Sequence, residues 1–179
     1  MTHLELFAGI GGFRRAMEWI QKDGLMPFDN IGFSEINTRA IATYKANYDT
    51  SNEIELGDIV KFTSKRSNIS KLPKIDIITG GFPCQAFSMM GNMMGFEEDR
   101  GQMFFRIMDI VNVKKPKYIL LENVKNLLVH DGGSTYAKIV EEIDNAGYYQ
   151  QTLLLNTADY GLPQRRYRVL IFARRKYKL

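Results

Sequence analysis

The sequence is poor in the residues that build disulfide or metal scaffolds. Its 179 residues include one cysteine and two histidines. A single cysteine cannot form a disulfide within the chain, so a disulfide framework is excluded and a reducing, cytoplasmic setting is expected. His3 and His130 are isolated from each other and from the cysteine, so the ligand spacing of a structural zinc site is absent and no metal site is expected.

Long apolar runs and a strong charge of one sign are also missing. No stretch approaches the roughly 18 consecutive apolar residues of a membrane span, and the N-terminal residues lack the regions of a signal peptide, so no membrane association is expected. Lys and Arg total 24 against 20 Asp and Glu, which gives a net charge of +4. This mild excess is compatible with a polyanionic partner, and residues 165–179 are rich in basic residues with no acidic one.

Apolar, β-branched runs alternate with segments of helical spacing along the chain. This alternation predicts a single α/β domain over residues 1–179, with a seven-stranded, mostly parallel sheet and an antiparallel final edge. Residues 61–74 are expected to form an exposed connection. Strands are predicted over residues 4–9, 30–36, 54–59, 74–82, 117–124, 149–157 and 168–175. Helices are predicted over residues 12–24, 37–48, 101–115 and 134–148. Asn37 is expected to cap the second helix and Ser134 the fourth.

A glycine-rich turn and two acids indicate an adenosine cofactor. Gly9, Gly11 and Gly12 follow the first predicted strand and open the first helix. Glu35 and Asp58 end the next two strands, where one carboxylate can bind ribose hydroxyls and the other an adenine amine. The pattern GxGG departs from GxGxxG, favours S-adenosylmethionine modestly and leaves NAD open. The alternative is that the two acids only cap the helices that follow them.

The one cysteine follows the predicted central strand, in the segment "GGFPCQAFS". Cys84 therefore lies at the edge where the cofactor is expected, and Glu122 and Asn123 end the neighbouring strand. A thiol beside a carboxyl group suggests a nucleophile with a general acid, although a free cysteine is more often buried filler and a terminal glutamate is often an exposed turn residue. Residues 88–101, rich in Gly and Met, favour a loop that closes on substrate.

Five segments together resemble the DNA cytosine-5 methyltransferases of bacterial restriction–modification systems: "ELFAGIGGFRRAM", "GGFPCQAFS", "GFEEDRGQMFF", "PKYILLENVKNL" and "NTADYGLPQRRYRVLIFA". The resemblance covers essentially the whole chain. It implies a Rossmann-like, S-adenosyl-L-methionine-dependent methyltransferase fold with helices on both faces, and duplex DNA as the partner. It also implies that the Cys84 thiolate adds to C6 of a flipped-out cytosine, that Glu122 binds the N3 and amino edge, and that the activated C5 takes the methyl group.

The resemblance further implies roles for individual side chains. Catalytic roles are expected for Cys84, Glu122, Arg166 and Arg168. Cofactor contacts are expected from Phe7, Gly9, Ile10, Gly11, Gly12, Glu35, Ile36, Asp58, Ile59, Pro83 and Met103. DNA contacts are expected from Gln85, Ser88, Arg100, Asn123, Gln164 and Arg165.

Members of this family continue with a target-recognition domain and a segment that completes the methyltransferase domain. Neither is found in the sequence, so we expect a second polypeptide, or the remainder of the same protein, to be needed for site-specific methylation. A split subunit, a fragment of a longer enzyme and an inactive truncation are the alternatives. Two further functions stay open: a tRNA methyltransferase of the same superfamily, and a non-catalytic module that binds S-adenosylmethionine.

Overall fold

A computed structural model describes residues 1–83 and 103–177, in which seven strands form one sheet in the order β3-β2-β1-β4-β5-β7-β6. Neighbouring strands among the first five pair in parallel, whereas β7 pairs antiparallel with both β5 and β6. The predicted mostly parallel sheet with an antiparallel edge is therefore confirmed. The strands are β1 (Thr2–Leu6), β2 (Asp29–Ser34), β3 (Ile54–Glu55), β4 (Ile77–Gly81), β5 (Tyr118–Val124), β6 (Tyr148–Asn156) and β7 (Tyr167–Arg175).

Six α-helices connect or follow these strands in the described residues. The predicted cap of α2 is confirmed, because the Asn37 side chain accepts hydrogen bonds from the backbone N–H groups of Arg39 and Ala40. The helices are α1 (Gly12–Lys22), α2 (Thr38–Asn47), α3 (Ile59–Thr63), α4 (Arg66–Lys71), α5 (Met103–Lys114) and α6 (Ser134–Asn145).

The two faces of the sheet are covered by different helices, as expected. Side chains alternate between faces along a strand. On β1, Leu4 and Leu6 join the main hydrophobic core, which includes buried residues of α3, α4, α5 and α6. Glu5 points to the other face, where it contacts α1 and α2. Burial of each Leu or Ile side chain in the main core stabilises the folded chain by about 1.5–3 kcal/mol.

Two local predictions are wrong. Residues 61–74 are not a simple exposed connection, because most of them belong to α3 and α4, and Ile69 and Leu72 are buried in the main core. Helices of five and six residues are too short to show helical periodicity in the sequence. Ser134 is the first residue of α6 and not its cap: the capping position is Gly133, with φ of 91°, and the Ser134 hydroxyl donates to the Asp131 carboxylate.

The strand order places a crevice next to the first helix. The chain moves outward in one direction from β1 to β2 and β3, and in the other from β4 to β5, so β1 and β4 flank the point where the strand order reverses. Ligands of open α/β sheets bind outside the carboxyl ends of the strands at such a point. The segments that follow β1 and β4 begin at Phe7 and Phe82, and these are the places where the predicted site residues begin.

Candidate functional site

The turn after β1 is joined to the end of β2 by hydrogen bonds. Phe7 has φ of 53°, a left-handed conformation that is uncommon for a bulky side chain and marks the turn as constrained. The Ala8 N–H donates to the Ser34 carbonyl at 2.9 Å, and the Gly9 N–H donates to the Glu35 carboxylate at 2.8 Å. The predicted glycine turn and the predicted ribose-binding acid are therefore in direct contact.

Glu35 and Asp58 both accept hydrogen bonds from backbone N–H groups. The second oxygen of Glu35 accepts from the N–H groups of Ile36 and Asn37, each at 2.8 Å. Asp58 Oδ1 caps α3 by accepting from Val60 N–H at 2.9 Å and, more weakly, from Lys61 N–H at 3.4 Å. The capping that the sequence offered as the alternative is thus present for Asp58 but not for Glu35, because Asn37 is the cap of α2. This capping leaves lone pairs of Asp58 free, because among the described residues the second Asp58 oxygen has only the exposed Lys61 amine nearby, 4.0 Å away.

A small, largely apolar cavity lies between these two acids. Besides Ser34, all of its lining residues are ones for which a cofactor contact was expected: Phe7, Glu35, Ile36, Asp58, Ile59 and Met103. Ile36 is highly exposed, whereas Ile59 is buried in the main core and forms the floor of the cavity. The cavity combines apolar walls with two carboxylates, which is the combination that a nucleoside requires.

The other predicted cofactor residues surround this cavity less closely. Ile10 is exposed at the tip of the glycine turn, and Gly12 is the first residue of α1. Gly11, with φ of 90°, packs against the Tyr48 ring on the side of α2. Pro83 is exposed and is the last described residue before the gap.

A larger cleft, of about 410 Å³, lies at the other end of the sheet, near the amino ends of β1 and β2. Three of its charged side chains already pair with each other, since Arg14 contacts both Glu18 and Glu53. We place the site at the smaller cavity because the carboxyl ends of parallel strands are where this kind of sheet binds ligands.

Glu122 and Arg168 form an ion pair at the carboxyl end of β5. Arg168 Nε lies 2.6 Å from Glu122 Oε1, and both side chains are partly exposed. Glu122 is also paired in register with Gly81 of β4, and a Cβ built on Gly81 would lie 3.3 Å from Glu122 Oε2. The absence of a side chain at residue 81 leaves room for the carboxylate. Cys84 follows Gly81 by three residues and, with Gln85, Ser88 and Arg100, lies outside the described residues.

Asn123 requires a correction. A DNA contact was expected from this residue, but its side chain is buried on the face of β5 opposite to Glu122. Its amide donates to the Phe82 carbonyl at 3.0 Å, and its oxygen accepts from the Val124 N–H at 2.8 Å. Because strand side chains alternate, a residue next to Glu122 must face the other way. In this structure Asn123 holds the backbone just before Pro83 and is not available to DNA.

The basic segment before β7 is exposed and is held in a compact turn. Thr157 contacts it twice, since its hydroxyl donates to the Gln164 carbonyl at 2.5 Å and its N–H donates to the Arg166 carbonyl at 3.1 Å. Gln164, Arg165 and Arg166 are all exposed. Arg166 precedes Arg168 by two residues, so this segment brings positive charge to the side of Glu122.

A buried polar cluster that the sequence did not predict lies behind the glycine turn. Glu5, Tyr44 and Tyr48 are buried and reach the turn and the start of α1. The available signal was Glu5 itself, an acid inside the apolar strand "LELFAG". Burial raises the pKa of Glu5 to about 7, against the opposing effect of the hydrogen bonds that it accepts.

The described residues offer neither a metal cluster nor a membrane span. In residues 1–83 and 103–177, no group of three or more His, Cys, Asp or Glu side chains is placed to hold a metal ion. Over the same ranges, no helix is both long enough and apolar enough to cross a membrane.

Comparison with known proteins gives a consistent family. The family model described as "C-5 cytosine-specific DNA methylase" matches residues 1–179. Type II methyltransferase M1.ScrFI of Lactococcus lactis subsp. cremoris is 43% identical over 168 residues, which are 94% of this chain and 40% of that protein. Type II methyltransferase M.NgoBI of Neisseria gonorrhoeae is 42% identical over 168 residues, 94% of this chain and 49% of that protein. The chain thus spans less than half the length of these curated relatives.

Solved structures agree with this assignment. The S. pombe Dnmt2 methyltransferase superposes with a TM-score of 0.75 and 25% identity, covering 100% of this chain and 52% of that one. A mutant of Spodoptera frugiperda DNMT2 gives a TM-score of 0.71 and 27% identity, over 97% of this chain and 50% of that one. The fold is that of S-adenosyl-L-methionine-dependent methyltransferases. The chain belongs to the C-5 cytosine-specific DNA methylases, an enzyme family whose cofactor is S-adenosyl-L-methionine.

Proposed function

We propose that this chain is the catalytic core of a methyltransferase that modifies C5 of a cytosine within a specific sequence of duplex DNA. The observation that carries the proposal is the Glu122–Arg168 ion pair, which lies beside the end of β4, the strand that leads into Cys84. A carboxyl group and a guanidinium group in contact, with a cysteine three residues after the neighbouring strand in the sequence, are the groups that nucleophilic attack on a pyrimidine ring requires.

The residues that line the cavity beside the glycine turn suit the adenosine part of the cofactor. When bound there, S-adenosyl-L-methionine supplies an electrophilic methyl group. Glu35 would accept from the ribose hydroxyls, and the second oxygen of Asp58 would accept from the adenine amine. Ile36 would cover one face of the adenine, with Phe7 and Met103 in the apolar wall. Pro83, Ile10 and the glycines would complete the surroundings.

Cys84 and Glu122 would act on the cytosine ring together. The Cys84 thiolate forms a bond to C6, and the electron pair of the C5–C6 double bond moves into the ring. Glu122, in its protonated form, donates a proton to N3 and becomes the carboxylate that pairs with Arg168, so the ring does not accumulate negative charge while C5 becomes nucleophilic. After methylation, N3 returns its proton to Glu122 and a water molecule takes the C5 proton; the C5–H electrons re-form the C5–C6 double bond while the C6–S bond breaks and Cys84 leaves as the thiolate. Arg168 holds the Glu122 carboxyl group and reaches towards the O2 edge of the base.

The cytosine must leave the double helix for this reaction, because stacking covers C6 in a duplex. The exposed segment with Gln164, Arg165 and Arg166 would contact DNA, and Arg166 would also support the catalytic groups next to a phosphate. Gln85, Ser88 and Arg100 are further DNA-binding candidates from outside the described residues. These contacts position the duplex and do not by themselves select a sequence.

A second polypeptide would supply sequence recognition and cover the open face of the sheet. On the face of β5, β6 and β7 that lies away from the main core, Val124, Tyr149, Leu153 and Phe172 are exposed to solvent. Contiguous exposed apolar side chains mark interaction surfaces. The relatives are more than twice as long as the segment that they share with this chain. The occupant we infer is the counterpart of that unshared part, present as a separate chain or as the remainder of the same protein.

Covalent trapping tests the proposed function. The chain, co-expressed with a polypeptide corresponding to the unshared part of M1.ScrFI, would be incubated with S-adenosyl-L-methionine and mixed-sequence duplexes containing 5-fluorocytosine. A fluorine at C5 cannot leave as a proton does, so we expect a stable protein–DNA adduct, with DNA attached to the peptide that contains Cys84 by mass spectrometry. Cys84→Ser should give no adduct. Cofactor binding without an adduct in any combination would contradict the enzymatic proposal and favour a binding module.

A further inference from the structure

Glu5 holds the first free backbone N–H groups of α1 from inside the sheet. It is fully buried on β1, and its Oε1 faces the N–H groups of Phe13 at 3.2 Å and Arg14 at 3.4 Å. Its other oxygen accepts from the Tyr44 hydroxyl at 3.2 Å. The first N–H groups of a helix have no partner within the helix, and a carboxylate is the acceptor that best complements them. Glu5 therefore fixes where α1 starts. The glycine turn, which we call the cofactor turn below, ends at that point.

Tyr48 holds the same turn from the side of α2. Its hydroxyl donates to the Gly11 carbonyl at 2.8 Å, and its ring lies so close that a Cβ on Gly11 would come within 2.3 Å of it. The ring is itself supported by Tyr44, with ring centroids 4.9 Å apart. The guanidinium groups of Arg14 and Arg15 lie 5.4 and 5.1 Å from the centroid of the Tyr48 ring. The position of the turn thus depends on side chains that do not line the cofactor cavity.

We propose that Glu5 and Tyr48 are positioning residues for the cofactor turn, Glu5 through the N–H groups that begin α1 and Tyr48 through the Gly11 carbonyl. This inference rests on the proposed placement of the cofactor against that turn. Neither side chain lines the cavity, so they act on the cofactor through Gly9 and Gly11, which they keep beside Glu35.

The clamp formed by Glu5, Tyr44 and Tyr48 responds to pH. Burial raises the pKa of Glu5 to about 7, so this carboxyl group gains a proton as the pH falls below neutrality. A protonated carboxyl group is a weaker acceptor for the two N–H groups of α1, and the turn loosens. The titratable and charged groups around Glu5 are Arg14 on α1, Tyr44 on α2, Tyr48 directly after α2, His3 on β1, and Glu53, which is paired with Arg14. The pKa of His3 lies lower, at about 4, so it stays neutral while Glu5 titrates.

Two conservative variants separate this role from simple structural support. Tyr48→Phe keeps the ring and removes only the hydroxyl that binds Gly11. Glu5→Gln keeps an acceptor for the α1 N–H groups and a donor towards Tyr44 but cannot titrate.

Matched controls are Tyr177→Phe and Glu141→Gln, both at exposed positions remote from the turn. The dissociation constant for S-adenosyl-L-methionine would be measured by calorimetry from pH 6 to 9, and the amide resonances of residues 9–14 would be followed by NMR without cofactor.

We expect Tyr48→Phe to weaken cofactor binding by about 3- to 10-fold, because the glycine turn is no longer held beside Glu35, and to lower the melting temperature by only a few degrees, as the loss of one intramolecular hydrogen bond does. In the parent chain the amides of Phe13 and Arg14 should titrate with a midpoint near pH 7, and affinity should fall below that pH. Glu5→Gln should remove both pH effects. Unchanged affinity in Tyr48→Phe, or a retained midpoint in Glu5→Gln, would overturn the inference. Failure of the chain to bind cofactor would count against the proposed function instead, because the cofactor-free amide titration still reports on the clamp.

Discussion

At the scale of single residues, Gly9 and Gly11 show how two glycines of one turn differ in what they tolerate. Both have positive φ, 56° and 90° respectively. A Cβ on Gly9 would meet no atom of residues 1–83 and 103–177 within 4 Å, whereas a Cβ on Gly11 would lie 2.3 Å from the Tyr48 ring. Gly9 is required only for its backbone conformation. Gly11 is required for its backbone conformation and also because the Tyr48 ring occupies the space that a side chain would need.

Alanine at these two positions should therefore have unequal effects. We expect Gly9→Ala to lower the free energy of unfolding by about 1 kcal/mol through backbone strain, and Gly11→Ala by about 3 kcal/mol because the Tyr48 ring must also move. Urea denaturation of the two variants measures the difference. Combining Gly11→Ala with Tyr48→Ala should recover part of the loss. Equal destabilisation by the two glycine variants would show that Tyr48 does not constrain the turn.

Two buried groups on β1 make opposite contributions to the pH dependence of stability. Burial raises the pKa of Glu5 from 4.5 to about 7 and lowers the pKa of His3 from 6.5 to about 4. Between pH 4.5 and about 7, the folded chain binds a proton at Glu5 that the unfolded chain does not, so the free energy of unfolding falls as pH rises. Over nearly the same range the unfolded chain binds an extra proton at His3, so stability rises with pH. Each slope is at most about 1.4 kcal/mol per pH unit, and the two nearly cancel.

Glu5→Gln should expose the contribution of His3. Its free energy of unfolding, measured by urea denaturation from pH 4 to 7, should rise more steeply with pH than that of the parent chain, up to about pH 6.5. His3→Gln should show the reverse, with stability falling as pH rises towards 7. Parallel pH profiles for the parent chain and Glu5→Gln would mean that Glu5 does not titrate in this range.

At the scale of secondary-structure elements, the long segments were predictable and the short ones were not. The buried strand "KIDIITGG" and helix α2 with its Asn37 cap carry periodicity and cap signals over many residues. Helices α3 and α4 have too few residues for such a signal, and packing against α5 stabilises them. For the site, the sequence predicted that Glu35 and Asp58 end strands. It did not show that both acids accept backbone hydrogen bonds, because capping and ligand binding require the same residue types at the same place.

Substitutions of Asp58, at the start of α3, can distinguish helix capping from cofactor binding. Asp58→Ser keeps a hydroxyl that can cap the helix but loses the second carboxylate oxygen, whereas Asp58→Ala loses both. We expect Asp58→Ala to cost about 1 kcal/mol of stability and Asp58→Ser much less. Both should weaken binding of S-adenosyl-L-methionine by about 10-fold, the equivalent of 1.4 kcal/mol. Stability from urea denaturation and affinity from calorimetry provide the two readouts. Parent-like affinity in Asp58→Ser would make Asp58 a helix cap only.

At the scale of the whole molecule, we expect the exposed apolar face of β5, β6 and β7 to govern association. Leu153 and Phe172 are exposed on neighbouring strands of this face, and the Phe172 ring stacks on Tyr118 with centroids 5.9 Å apart. Replacing both Leu153 and Phe172 with threonine keeps β-propensity and removes apolar area. The double variant should self-associate less in analytical ultracentrifugation and should capture the complementing polypeptide at least about 10-fold more weakly. Leu25→Ser, at an exposed position in the turn between α1 and β2, is the control. Unchanged capture by the double variant would place the docking surface elsewhere.

The position and the mechanism of methyl transfer can be tested in one measurement. Nucleosides from duplex DNA incubated with isotope-labelled S-adenosyl-L-methionine, the chain and its complementing polypeptide would be resolved by mass spectrometry, in parallel for the parent chain and Cys84→Ser. We predict that labelled 5-methyldeoxycytidine forms with the parent chain and falls by at least about 1,000-fold with Cys84→Ser, as expected when a catalytic nucleophile is removed. Label on another base or another atom of cytosine, or equal product from the Cys84→Ser variant, would contradict the account.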